Sequence, residues 1–283
     1  MNRKTFILGV ALSAVLFFAA CGDDSSSTSV NNGSFENVTQ SSSEKAEELS
    51  SSAEDAVCSS SEADFGSSLA GSVYDAAKKT LTDNRDGLVY KTVTIGGQIW
   101  MAENLNYADN YETPSLKGNS WCYNNSPEYC DKYGRLYSWA AAIDSVKLAN
   151  GVANPLDCGY HEECGLTGTV QGICPEGWHL PNDDEWNVLF TTVGGSLKAG
   201  RYLKSQTGWY SNGNGTDIYS FSALPAGNRE LFGFDEDGVG TSFWSSTEYN
   251  NDYAYSMRLI YSEQASLFPS NKYYGFSIRC LRD

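Results

Sequence analysis

The chain has 283 residues and a formal net charge of −16, with 19 Lys and Arg against 35 Asp and Glu. No basic stripe runs through it, so neither nucleic acid nor an anionic membrane surface is a fitting partner. An acidic surface of this kind suits cations, neutral polymers or simple solubility.

The first twenty residues do not read as part of a fold. Met1 to Lys4 is a short basic stretch, and Thr5 to Ala20 is an apolar run too short and too early for an ordinary membrane span. Residues 1–20 are therefore expected to be a secretory signal. They end Phe18-Ala19-Ala20-Cys21, which resembles a bacterial lipoprotein lipobox, with Phe18 where Leu is more usual. The resemblance implies lipid on Cys21 and membrane attachment through it. It places the protein in the bacterial cell envelope as an outer-membrane lipoprotein, surface-exposed or periplasmic. The bland alternative is a plain signal peptide with Cys21 incidental.

Residues 21–70 read as a tether. They carry Ser triplets at 25–27, 41–43, 50–52 and 59–61, acidic patches between them, and a single Lys45. Such a composition buries too little apolar surface to offset ordering entropy, so a flexible, self-repelling linker is expected. Cys58 lies within it without an obvious partner.

A folded domain is expected over residues 71–283. Leu88 to Ile95 is β-rich, and Gly96-Gly97 turns it back into Gln98 to Ala102 as a hairpin. Asp83-Asn84-Arg85-Asp86-Gly87 has the look of a calcium loop but fails the EF-hand pattern, because Thr82 and Val93 fall on the outer ligand positions. A polar turn is the reading. Over 133–143, Leu136, Trp139, Ala140 and Ile143 share one face of a helix. Asn150 to Gly172 is an irregular, Gly-rich excursion.

Cys174 to Trp186 is the organising stretch. Asn182 can cap a helix and Glu185 can reach back to it, a capping box, while Asp183 and Asp184 favour the positive end of the helix dipole. Trp186, Leu189, Phe190 and Val193 then form one apolar stripe, stopped by Gly194-Gly195. A second helical piece is expected around Ala199 to Ser205. Short strands are expected at Tyr219–Leu224, Ser242–Ser246, Tyr253–Ile260 and Gly275–Leu281, the last two by their alternation of apolar and polar residues. Together these elements make an α+β plan.

Eight cysteines in an exported chain imply disulfides. With Cys21 assigned to lipid and Cys58 to the tether, six remain, and six allow fifteen pairings. Spacing suggests two local loops, Cys122–Cys130 and Cys158–Cys164, and one long bridge, Cys174–Cys280. Zinc is the alternative, disfavoured by the Cys122 to Cys130 spacing and by an oxidising compartment.

Chemistry is sparse. There are two histidines; His179, inside the core stretch, reads as a hydrogen-bonded structural residue, and His161 sits beside Glu162-Glu163. Ser245 and Ser246 match no nucleophile elbow. No catalytic residue and no cofactor site is assigned, and a non-enzymatic role is expected. Asp235 and Asp237, in an expected loop, together with Asp252, are the residues that could ligate Ca²⁺ through oxygens. Trp209, Tyr210, Tyr249, Tyr253, Tyr273 and Tyr274 fall in loops or at strand edges, where exposed aromatic faces stack on sugar rings.

Several ordered motifs resemble one family. They are Tyr90-Lys91-Thr92-Val93, Trp100-Met101-Ala102-Glu103-Asn104-Leu105-Asn106-Tyr107, Gly134-Arg135-Leu136-Tyr137-Ser138-Trp139, Cys174-Pro175 to Trp186, Pro225-Ala226-Gly227, Phe243-Trp244-Ser245-Ser246-Thr247-Glu248 and Gly275-Phe276-Ser277-Ile278-Arg279-Cys280. These look like the Fibrobacter succinogenes major paralogous domain, covering roughly residues 71–283. That family is similar to C-type-lectin-like and formylglycine-generating, sulfatase-modifying domains. The resemblance implies a C-type-lectin-like fold with two main helices, short antiparallel strands and long disulfide-tied loops. In it the long Cys174–Cys280 bridge ties the helix-associated core to the last strand. It brings no established activity. The lectin calcium motifs do not transfer, since Asn250-Asn251-Asp252 follows Tyr249 rather than Trp and no Pro motif is present. The expected role is a surface-tethered binding module for a polysaccharide or a surface protein. An envelope lipoprotein without a soluble ligand is the alternative, and an enzyme related to the sulfatase-modifying domains is a weaker third.

Overall fold

The computed structural model describes residues 71–149 and 158–283. The expected signal, the expected lipidation site Cys21 and the expected tether with Cys58 lie outside the described residues.

The chain opens as an antiparallel meander of β1 (Ser72–Asp75), β2 (Thr80–Asp83), β3 (Val89–Ile95) and β4 (Gln98–Met101). Ile95 pairs with Gln98 across the expected glycine turn, with Gly96 at φ +61°. The 83–87 segment is a polar turn, as read. The Asp83 carboxylate is taken up by the Arg85 guanidinium at 2.7 Å, and Arg85 also donates to the Ile173 carbonyl.

The single helix expected over 133–143 is not formed. Instead there follow β5 (Ser120–Trp121), α1 (Pro127–Tyr133), β6 (Leu136–Tyr137), α2 (Trp139–Ala142) and α3 (Ser145–Leu148). Gly134 breaks the run at φ +73°, and a Cβ there would sit 2.7 Å from the Asn104 side chain. Ser138 then caps a new helix by accepting from the Ala141 N–H. Leu136, Trp139 and Ile143 are all buried, but they reach the core from a strand, a helix and a helix end.

After β7 (Trp178–His179) comes α4 (Asp183–Thr192), where the capping box is complete. Asn182 Oδ1 accepts from the Glu185 N–H and Glu185 Oε2 from the Asn182 N–H, each at 2.9 Å. Trp186, Leu189, Phe190 and Val193 are buried as the periodicity requires. α5 (Ser196–Leu203) begins three residues ahead of the expected piece.

His179 is structural. Its Nδ1 lies 2.6 Å from Asp283 Oδ1 and its Nε2 lies 3.0 Å from Glu185 Oε1. Burial pulls its pKa down, but the two carboxylates outweigh burial and hold it above 6.5. Burial pushes Glu185 up, but His179 and the Asn182 N–H hold it below 4.5. The His179 contribution is thus complete below its unfolded pKa and lost as pH rises through the raised folded value. That of Glu185 is complete above its unfolded pKa and lost on acidification. Melting curves from about pH 6 to about pH 8 should show the parent losing stability faster than His179→Gln; parallel curves would mean that the Asp283–His179–Glu185 contacts contribute nothing that depends on pH.

The remaining strands are β8 (Ala226–Glu230), β9 (Gly233–Asp237), β10 (Gly240–Glu248), β11 (Tyr253–Ile260), β12 (Ala265–Asn271) and β13 (Leu281–Arg282). One sheet has the order β1-β2-β3-β4-β13-β7, a second β12-β11-β10-β8-β9, and β5 pairs with β6. Two of the expected strands fail. Tyr219–Leu224 is irregular, with Ser220 and Ser222 at φ +57° and +54°, and bridges only through Ala223 to Lys204. Gly275–Leu281 is paired regularly only at its end, since Gly275, Phe276 and Ser277 each bridge a different partner. Its polar residues are as buried as its apolar ones, Ser277 and Arg279 included, because the segment is enclosed on both faces.

All three expected disulfides are present, Cys122–Cys130, Cys158–Cys164 and Cys174–Cys280. The last lies in a core built on Trp139, Trp178 and Trp244. A second core stacks Trp100 on Trp186, ring centres 4.6 Å apart, with Phe221 and Phe243 around them.

Candidate functional site

The β10–β11 hairpin, the end of β12 and the Cys158–Cys164 loop meet at one place. The hairpin tip is closed by the Tyr249 and Asn250 N–H groups donating to the Tyr253 carbonyl, and by Asn250 Oδ1 accepting from the Asp252 and Tyr253 N–H groups. The disulfide loop docks on this tip. Its His161 N–H donates to the Asn251 carbonyl at 3.0 Å, and His161 Nδ1 lies 2.7 Å from Asp252 Oδ1.

Beneath the loop is a buried ion pair. Lys272 Nζ donates to Glu248 Oε1 at 2.5 Å and to the Glu162 carbonyl at 2.6 Å, and it lies over the Trp139 ring. The other side of the Glu248 carboxylate accepts from the Cys164 and Gly165 N–H groups, each at 3.0 Å. A charge removed from water needs both a partner and satisfied lone pairs, and this one has them.

Aromatic rings of the loop and of the residues after β12 meet one another. Tyr160 stacks against His161 at 3.6 Å and meets Tyr273 edge-on at 5.1 Å. Tyr273 meets Tyr274 at 5.0 Å, and Tyr274 leans on buried Phe276. Burial and the charge of Glu230 raise the Tyr274 phenol above its usual pKa, so it remains a neutral hydroxyl. Tyr249, exposed, meets Tyr255 edge-on at 5.6 Å, and Tyr253 is exposed on the same hairpin.

The structure therefore brings together Asp252, Tyr249, Tyr253, Tyr273 and Tyr274 of the expected residues. Two ligand-stacking candidates fall elsewhere. Trp209 is a core residue, 5% exposed, whose Nε1 donates to Ser205 Oγ and the Ala223 carbonyl. An indole whose N–H finds an internal partner gains more from burial than from the surface. Tyr210 is exposed, but no ring contact joins it to the cluster among the described residues.

The calcium set does not assemble. Asp235 and Asp237 lie on β9, not in a loop, where Asp237 accepts from the Tyr129 hydroxyl. β10 then runs nine residues, about 30 Å at strand rise, before the tip that carries Asp252. Among the described residues no group of three or more His, Cys, Asp or Glu is arranged to hold a metal. Tyr160 and His161 were not among the expected ligand residues. The signal for them was a Tyr-His pair inside a cysteine loop, but its position is set by contacts far away in sequence.

These elements define an α+β domain with three disulfides and a tyrosine-rich end. A family model for the Fibrobacter succinogenes major domain matches residues 93–282, and the chain belongs to that family. Neither curated proteins nor solved structures yield a match.

Proposed function

We propose that the protein is a non-enzymatic binding module for a neutral glycan, held at the cell envelope by lipid on Cys21 and given reach by residues 21–70. The C-type-lectin-like likeness of the motifs supports the class. The observation that carries the ligand is the run of rings Tyr160, Tyr273 and Tyr274 beside the His161–Asp252 pair. Tyrosine faces stack on the C–H faces of sugar rings while their hydroxyls remain available to sugar hydroxyls. The neighbouring imidazole and carboxylate add a donor and acceptors. Because Asp252 is committed to His161, recognition needs no calcium.

Retention of the purified chain on insoluble cellulose, xylan and pectin tests this, with Ca²⁺ and with chelator. Retention on at least one polymer, unchanged by chelator, is expected. Tyr160→Ala and Tyr273→Ala should each weaken it by about three- to tenfold without altering the melting temperature, in line with the worth of an aromatic contact. Retention lost with chelator would sink the metal-free reading. Retention on none of them would favour an envelope lipoprotein without a soluble ligand.

A further inference from the structure

The three disulfides stand in unlike surroundings. Cys174 and Cys280 are fully buried, so no outside thiolate reaches that bridge in the folded domain. The two short bridges each join a half-buried cysteine to a buried one, Cys122 to Cys130 and Cys164 to Cys158. Cys130 also lines a cleft of about 480 Å³, together with Lys132 and Tyr133.

Charge sets the two short bridges apart. Arg135 Nη1 lies 3.4 Å from Cys122 Sγ and 3.5 Å from Cys130 Sγ, and its Nε donates to Ser120 Oγ. No carboxylate pairs with this guanidinium among the described residues, and Glu128 and Asp131 of α1 are exposed. A cation held against a sulfur stabilises the thiolate that leaves during exchange, and a better leaving thiolate speeds the reaction. Beside Cys164 stands a carboxylate instead. Both oxygens of Glu248 accept from the Cys164 N–H at 3.0 Å. Lys272 is taken up by Glu248 and the Glu162 carbonyl, and among the described residues no contact joins it to a sulfur.

We propose that Cys122–Cys130 is a site of thiol–disulfide exchange with a dithiol, and that Arg135 is its positioning residue. One sulfur of the dithiol, having given its proton to solvent, attacks Cys122 Sγ at the half-buried end. A bond forms between them as the Cys122–Cys130 bond breaks, and the electron pair leaves on Cys130 Sγ beside Arg135. The second sulfur of the dithiol then displaces Cys122. The bridge is reduced by two electrons and the dithiol is oxidised to its own disulfide. The consequence falls on β9. Between the two cysteines lie Tyr123 and Tyr129, whose rings meet at 5.1 Å. Tyr123 meets Phe234 of β9 at 5.3 Å, and the Tyr129 hydroxyl donates to Asp237. Opening the bridge releases this hold on β9, while a loop this short leaves the rest of the fold in place. The site is independent of the tyrosine cluster.

Exposure of the full chain to graded dithiothreitol at neutral pH, with new thiols trapped by a maleimide and located by peptide mass, tests this. Cys122 and Cys130 are expected to be labelled first, about tenfold faster than Cys158 and Cys164, while thermal unfolding stays cooperative. Arg135→Gln should slow the opening by about threefold or more, and Arg135→Lys should restore part of the rate. The direction is decisive, because a guanidinium that merely propped the loop would speed opening when removed. In the opened parent the pH dependence of alkylation should place the Cys130 thiol below the ordinary value of about 8.5, and Arg135→Gln should return it towards that value. Equal labelling of the two short bridges, earlier labelling of Cys158 and Cys164, faster opening in Arg135→Gln, or an ordinary Cys130 thiol in the parent would each overturn the assignment.

Discussion

Replacing Cys174 and Cys280 together by alanine is expected to cost the domain about 4–5 kcal/mol, the largest loss from any of its disulfides. The bridge closes a loop of 106 residues, against 8 and 6 for the other two. In the loop-entropy model the short bridges contribute about 2–2.5 kcal/mol each. Both sulfurs are fully buried beside Ile173 and Trp178, so alanine also leaves a void whose lining loses its contacts. The bridge ties the residue four before β7 to the residue just before β13, and those two strands pair directly. Without it, this pairing must be found across the whole intervening chain. For a domain of this size the change corresponds to a fall in melting temperature of about 10–20 °C. Thermal unfolding of the double variant beside the Cys122→Ala/Cys130→Ala variant checks the ranking; an equal loss in both would reject the loop-length account.

The elements legible in the sequence were those specified locally. The capping box of Asn182 and Glu185, the stripe behind it and the Gly96-Gly97 hairpin depend on residues a few positions apart, and each stands where its pattern put it. Failures arose where local patterns were imitated by tertiary ones. Leu136, Trp139 and Ile143 have helical spacing, yet the close approach of Asn104 and Leu105 to Gly134 forces a break that only the folded chain reveals. β12 is hidden in the sequence by Pro269. Proline removes a ladder donor and argues against a strand, except on an edge, and β12 is an edge. The hairpin of β8 and β9 went unread for want of alternation, which moved Asp235 and Asp237 from a loop to a strand. The tyrosine-rich end was half legible. Tyr249, Tyr253, Tyr273 and Tyr274 lie near one hairpin and its neighbour strand, so their meeting follows from strand order. Tyr160 and His161 reach them only through a disulfide loop fixed by a distant glutamate.

That glutamate carries the second large effect. Glu248→Ala should destabilise the domain by about 3–5 kcal/mol, because it strands a buried lysine. The Lys272 side chain is 0% exposed and would be left with the Glu162 carbonyl alone as its hydrogen-bond partner. The same substitution releases the Cys164 and Gly165 N–H groups, and with them the loop that presents Tyr160 and His161. Adding Lys272→Met should recover part of the stability, since an apolar side chain of similar length needs no partner. It should not restore the loop, whose two N–H groups still lack their acceptor. The two readouts therefore separate. Denaturant unfolding should show the double variant more stable than Glu248→Ala, while retention on the glycan stays weak in both although no ring has been altered. If the double variant binds like the parent, Glu248 matters only as a counter-ion. If both variants keep the parent's stability, the pair is not the anchor its geometry describes.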